Sequence, residues 1–317
     1  MTKSRRRQNT PAELARAIAA GDFPAARRIL RSAGAGGQGK PGRVGSAAAP
    51  GATWPGEVVG GCEATATVGH AEVRYHAVSR TLDQWMPADG PDIRREVVSV
   101  LRGARRQMDE LDASPALCHA ANADPEDLLF VSPWPRAPGE AALVLIGVLF
   151  CHDRQLVVEH YVAPDEQAEA GICQAFAERH ARAAVLVTFS GRRSHRKHLA
   201  DRCARHGVDL SAEAWDAPAA RVRAGGPAHL DLRKECRARW RGQLPACTLG
   251  VLERRLLGRS RPGLVRRAVA RQACGNFADT GGAAAIGQVL AHCAADLAAM
   301  AQLVCILLTG CETDIAP

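Results

Sequence analysis

Residues 127–150 read DLLFVSPWPRAPGEAALVLIGVLF. Leu128 to Val131 is a short apolar run stopped by Ser132-Pro133-Trp134-Pro135, and Ala141 to Phe150 is a longer run with Gly147 inside it. Two apolar runs joined by a Pro/Gly-rich break predict neighbouring strands of a buried sheet. Working outward, the pattern predicts strands at 128–132, 141–150, 155–162, 184–189 and 228–232. Helices are expected at about 166–182, 193–206, 233–241, 247–257 and 283–308. Three meandering strands, then two more each reached through a helix, predict an α/β fold with a five-stranded mixed sheet and helices on both faces.

The closing helix is the best specified. Ile286, Leu290, Cys293, Leu297, Met300, Val304 and Leu307 recur at alternating spacings of four and three, which lines up a narrow buried stripe. His292 and Asp296, four residues apart, lie together on its flank. The edge of a buried stripe is where a helix faces a cleft, although an ordinary boundary aspartate has the same phase.

Upstream the organisation changes. Residues 1–50 carry ten Lys/Arg against two acidic residues, so the net charge of +8 is a property of this tail and the remainder is balanced. Residues 11–33 suggest a pair of short helices, and 34–51 is a Gly/Ala/Pro-rich linker. A basic arm of this kind suits either phosphate contact or mere solubility. Glycine-punctuated alternation at 55–78 predicts a β-hairpin or two, and 91–112 predicts one helix with Pro91 in its first turn. The expected organisation is a basic flexible tail (1–50), a small accessory segment (51–122), the sheet domain (123–311) and a tail at 312–317.

Eleven cysteines with no Cys-x-x-Cys pair argue against a disulfide framework and a zinc ribbon, and predict reduced thiols. The basic N-terminus has no apolar run behind it, and the uncharged stretch Leu297 to Cys311 is shorter than the roughly 20 residues a membrane span needs. A cytoplasmic protein with no membrane partner is expected. Ser132 has no nucleophile-elbow context, no cysteine has catalytic company, and no Gly-rich phosphate loop sits between a strand and a helix.

Several short blocks carry a family resemblance, spread over roughly 123–311. ADPEDLLFV (123–131), ALVLIGV (142–148), LVTFSG (186–191), HLDL (229–232), RGQLPACTLGVLERRLLG (241–258) and HCAAD (292–296) follow one another in the right order. Together they resemble the YprB-like branch of the ribonuclease H-like DEDD 3′–5′ exonucleases. The resemblance implies a ribonuclease H-like sheet and phosphodiester hydrolysis by two Mg²⁺ or Mn²⁺ ions held by four carboxylates. Carried over residue by residue, the first two carboxylate positions are Ser132 and Trp134, and the third is His195. Only the fourth, Asp296, keeps its acid, with His292 in the general-base position.

One carboxylate cannot hold two divalent ions, so no metal cofactor is expected and the enzyme is predicted inactive. The basic stretch Arg192, Arg193, Arg196, Lys197, Arg202 and Arg205, set against Asp201 alone, attracts phosphate rather than cations. Of these, Arg192, Arg193, Arg196 and Lys197 are the candidate nucleic-acid contacts. The run Arg233 to Arg271, with twelve Lys/Arg against Glu235 and Glu253, is a second basic candidate. Three functions therefore compete. One is a degenerate nuclease that binds DNA or RNA, at a single-stranded end, without cutting it. Another is a working nuclease with substitute ligands His195, His292 and Asp296, helped by Asp231 if that residue is not simply a helix cap. The third is a protein-interaction scaffold.

Overall fold

The computed structural model describes residues 60–103, 114–135, 142–190, 196–210, 228–261, 264, 269–270, 272–274, 277 and 283–310. The expected helices at 11–33, the linker at 34–51 and the first alternating run near Val58 lie outside the described residues.

Seven strands form one sheet: β1 (Cys62–Val68), β2 (Ala71–Thr81), β3 (Leu128–Pro135), β4 (Leu143–His152), β5 (Gln155–Val162), β6 (Val185–Thr188) and β7 (Ala228–Asp231). Their order is β1-β2-β5-β4-β3-β6-β7. The five expected strands occupy β3 to β7, with β5, β4 and β3 antiparallel and β3, β6 and β7 parallel. This is the ribonuclease H-like order. The sheet is two strands wider than the expected five, because the upstream hairpin joins it: β2 pairs with β5 from His76↔Val162 to Thr81↔Val157. A turn at Gly69-His70 closes the hairpin, with Gly69 at φ +62° where a two-residue loop needs a left-handed residue. The β4–β5 loop does the same without glycine, holding Asp153 and Arg154 at φ 48° and 63°.

The Ser-Pro-Trp-Pro break is not a break. β3 continues through it, pairing Ser132↔Gly147, Pro133↔Ile146 and Trp134↔Leu145 before an irregularity at Trp134/Pro135. On its other side β6 pairs only with Leu128 to Phe130, so the prolines stand where no second neighbour needs their missing N–H.

The helices are α1 (Leu82–Trp85), α2 (Gly90–Gly103), α3 (Pro115–Asn122), α4 (Glu166–His180), α5 (Arg196–Arg205), α6 (Leu232–Arg239), α7 (Leu249–Leu256) and α8 (Ala283–Thr309). α3 was not expected from the apolar pattern, yet its start is written in Ser114-Pro115. The Ser114 hydroxyl accepts from the Leu117 N–H, and proline suits the first turn. Because side chains alternate across a strand, β3 feeds two cores. Leu129 and Val131 pack with α4 and α5 on one face. Phe130 and Trp134 pack with α8, and with α1 to α3, α6 and α7 around it, on the other.

α8 departs from its expected narrow stripe. All seven stripe residues are buried, but so are Val289, Ala294, Ala298, Ala299, Leu303 and Leu308 on its other sides. Ile286–Thr309 is long and apolar enough to cross a membrane, by length and composition alone; 94% of that window is buried inside the fold. Alanines let neighbours approach from every side. The tightest approach is to β4, where a Cβ added to Gly147 would lie 2.1 Å from Cys293 Sγ.

Candidate functional site

Ser132 and Trp134 share the β3 face that looks toward α8, and both are buried, at 3% and 1% exposure. Neither side chain opens onto solvent. Ser132 is paired with Gly147 across the strands, and that small pair admits α8 closely enough for the Cys293 thiol to reach the Ser132 carbonyl at 3.8 Å. Trp134 belongs to the apolar core beneath α8. The place where a strand end would present ligands is thus filled with packed side chains.

On α8, one turn past Cys293, Asp296 is 2% exposed, and His292 is 4% exposed. What meets them is an arginine. Arg261 Nη1 lies 2.8 Å from Asp296 Oδ1 and 3.4 Å from His292 Nδ1, while Arg261 Nε donates to both oxygens of Glu253 at 2.8 and 3.0 Å. Arg261 follows α7, and Glu253 sits within it, so the α7 region supplies both a cation and a second carboxylate to the α8 aspartate. Burial works against the charge on Arg261, but Asp296 and Glu253 outweigh it and hold the guanidinium firmly protonated. Glu253 moves the other way. Burial pushes its carboxyl above the ordinary value, and Asp296 adds to the push although Arg261 opposes it.

Two carboxylates around one guanidinium form a cluster already occupied by a cation, not a vacancy for hard divalent ions. A pair of Mg²⁺ ions needs several oxygen ligands converging from the strand end and the helix. Here the strand end offers one buried hydroxyl and an indole, and the helix acid already holds a cation. The donors present do not fit the metal pair. Among the described residues no three His, Cys, Asp or Glu side chains converge as metal ligands. Of the substitute set, His292 and Asp296 both engage Arg261, and His195 lies outside the described residues.

Asp231 is a helix cap. Its Oδ1 accepts from the Arg233 N–H and from the Ser190 N–H, both at 3.1 Å, tying the ends of β6 and β7 to α6. Arg233 in turn donates to the Ser190 hydroxyl at 3.0 Å and to the Cys247 carbonyl at 3.2 Å.

The basic helix α5 is less available than its composition suggests. Arg202 is buried, with Nε donating to Glu169 Oε1 at 2.7 Å and Nη2 reaching the second oxygen. The Leu143 N–H also donates to Glu169, at 2.8 Å, and His206 Nε2 stands 3.3 Å away. Arg205 pairs with Glu166 at 3.3 Å. Of the four candidate nucleic-acid contacts, Lys197 is exposed. Arg192 and Arg193 lie outside the described residues, as does the side chain of Arg196, which opens α5.

Sequence reasoning missed Arg261 and Glu253 as partners of Asp296. It also missed His160, fully buried under α8 with Trp85 edge-on at 4.9 Å and the Gly147 position beside it. Burial, assisted by the charge of Arg80, lowers the His160 pKa to about 3. A neutral imidazole there is a core residue.

Compared with known families, residues 137–308, more than half of the chain, match the model of the RNase_H superfamily. The match begins beyond Trp134. Comparison with curated proteins returned no match.

Proposed function

The chain belongs to the RNase_H superfamily, and from that premise we propose that it is a degenerate exonuclease-type domain, of the YprB-like kind, that binds nucleic acid without hydrolysing it. The observation that carries this reading is the ion pair between Arg261 and Asp296, at 2.8 Å and with the carboxylate buried. A hydrolytic site of this class gathers negative charge so that two metal ions can enter. Here a guanidinium supplies the positive charge from within the chain, and Trp134 and Ser132 close the strand side by packing.

What remains is a fold that can present surface cations to a phosphate backbone. Such binding is electrostatic, so it weakens as salt rises. It has no need of the buried site, and the strand is held rather than consumed.

The test is calorimetry with Mn²⁺ and Mg²⁺ on the purified chain, paired with digestion of an end-labelled single strand. Asp296→Asn, checked for an unchanged melting temperature, serves as the control. Salt-sensitive retention of an intact strand, with no metal uptake, is the expected result. Metal-dependent digestion lost in Asp296→Asn would overturn the loss of catalysis. Neither retention nor digestion would overturn the nucleic-acid role and leave an interaction scaffold.

A further inference from the structure

Among the described residues, several arginines are held by carboxylates. Arg94 meets Asp83, Arg179 meets Glu159, Arg202 meets Glu169, Arg205 meets Glu166 and Arg261 meets Glu253 and Asp296. Helix α6 gathers several cations that are not. Arg233 and Arg239 are tied to the Cys247 and Gly310 carbonyls, and Glu235 is turned into the core. Lys234, Arg237 and Arg241 are exposed, and among the described residues no carboxylate pairs with any of them. Lys234 and Arg237 lie three apart on one side of α6, about one helical turn, and Arg241 follows in the turn just past the helix end.

The like charges of Lys234 and Arg237, one turn apart, work against the helix, a cost that a polyanion lying along it removes. The helix also starts at the carboxyl end of β7, beside the carboxyl end of its parallel neighbour β6. That edge is where open α/β sheets receive ligands. We infer that Lys234, Arg237 and Arg241 form a phosphate-tracking stripe that holds a single nucleic-acid strand, resting on the nucleic-acid role proposed above. The stripe reads no bases. It contacts phosphates, and sequence preference is not expected from it.

Three phosphate contacts leave a measurable mark. For single strands each contributes about 0.7 to the slope of log affinity against log salt, so losing three lowers the slope by about 2. The experiment measures binding of a labelled oligothymidylate across a salt series. The proteins are the native chain, the triple variant Lys234→Gln, Arg237→Gln, Arg241→Gln, and Arg205→Gln as the paired-cation control. The expected result is a slope reduced by about 2 in the triple variant, at unchanged or slightly raised melting temperature, with Arg205→Gln like the native chain. Native binding with an unaltered slope in the triple variant would overturn the stripe while leaving the nucleic-acid role intact. Failure of the native chain to bind would overturn both. Triple-variant-sensitive binding to anionic vesicles but not to the oligonucleotide would assign the stripe to a lipid surface and overturn the inference.

Discussion

Two arginines meet buried carboxylates, Arg202 on one side of the sheet and Arg261 on the other, and their surroundings differ by one negative charge. Under α4 and α5, Arg202 meets the single carboxylate of Glu169, with the Leu143 N–H completing the site. Under α8, Arg261 meets two, Glu253 and Asp296. The consequence is visible in the acids. Burial disfavours the charge on Glu169, yet Arg202 and the Leu143 amide outweigh it and hold the carboxyl below its usual value. Glu253 is held above its usual value by burial and by its neighbour Asp296. The first cluster is a balanced clasp between α4, α5 and β4. The second sets two carboxylates against one guanidinium, so its acids press on each other as well as on the arginine.

The sharpest way to break this contrast is Arg202→Met. It strands Glu169, which is 0% exposed, and is expected to cost about 3–5 kcal/mol in urea unfolding. Removing both charges with Glu169→Met in the same chain should recover most of that loss, because a buried pair is often no better than apolar packing. A single substitution costing less than about 1 kcal/mol would mean that the clasp is not balanced as described.

Arg261→Met should cost less, about 2–3 kcal/mol at neutral pH, because its carboxylates can answer by taking up a proton. The loss should shrink toward pH 5, and adding Glu253→Gln should reduce it at every pH. A loss independent of pH would show that Arg261 acts by packing rather than by charge.

The gentlest test is acid titration of stability. His160 and His180 have folded values lowered by burial to about 3 and about 4. The unfolded chain therefore binds protons below about pH 6.5 that the folded chain refuses, and stability falls as pH drops through the window from 6.5 toward those values. Each group contributes about 1.4 kcal/mol per pH unit in that window. Glu169, with its lowered value, adds to the acid loss, whereas Glu253, with its raised value, gains stability as it protonates and opposes it. His160→Phe should flatten the profile by one proton; an unchanged profile would remove His160 from the account.

The strand and helix order from 128 onward was legible because it rests on local periodicity. The joining of the hairpin to β5 was not, since partner choice between distant strands leaves no trace in either strand's own pattern. Arg202 could have been found. Leu199, Arg202, Cys203 and His206 fall at i, i+3, i+4 and i+7, so the arginine shares the apolar face of α5. Glu253 could have been found the same way, among Leu249, Leu252 and Leu256. Arg261 could not. It follows the helix, in a run of arginines that reads as a solvated face, and its partner Asp296 is 35 residues on. The proline run in β3 misled because proline argues against a strand only where a second neighbour needs its N–H.

The hairpin has a practical meaning. β2 covers the flank of β5 through six consecutive residue pairs, and the chain leaving it contributes Val78, Leu82, Ile93 and Val97 to the core around α8. A fragment begun at residue 123 would keep all five strands of the superfamily sheet, yet it would leave a β-branched, aromatic flank bare to neighbouring molecules. Unpaired flanks of that kind recruit other chains and precipitate. The superfamily domain is therefore expected to stay in solution only together with the segment from Cys62 onward, as sedimentation of the two chain lengths would show.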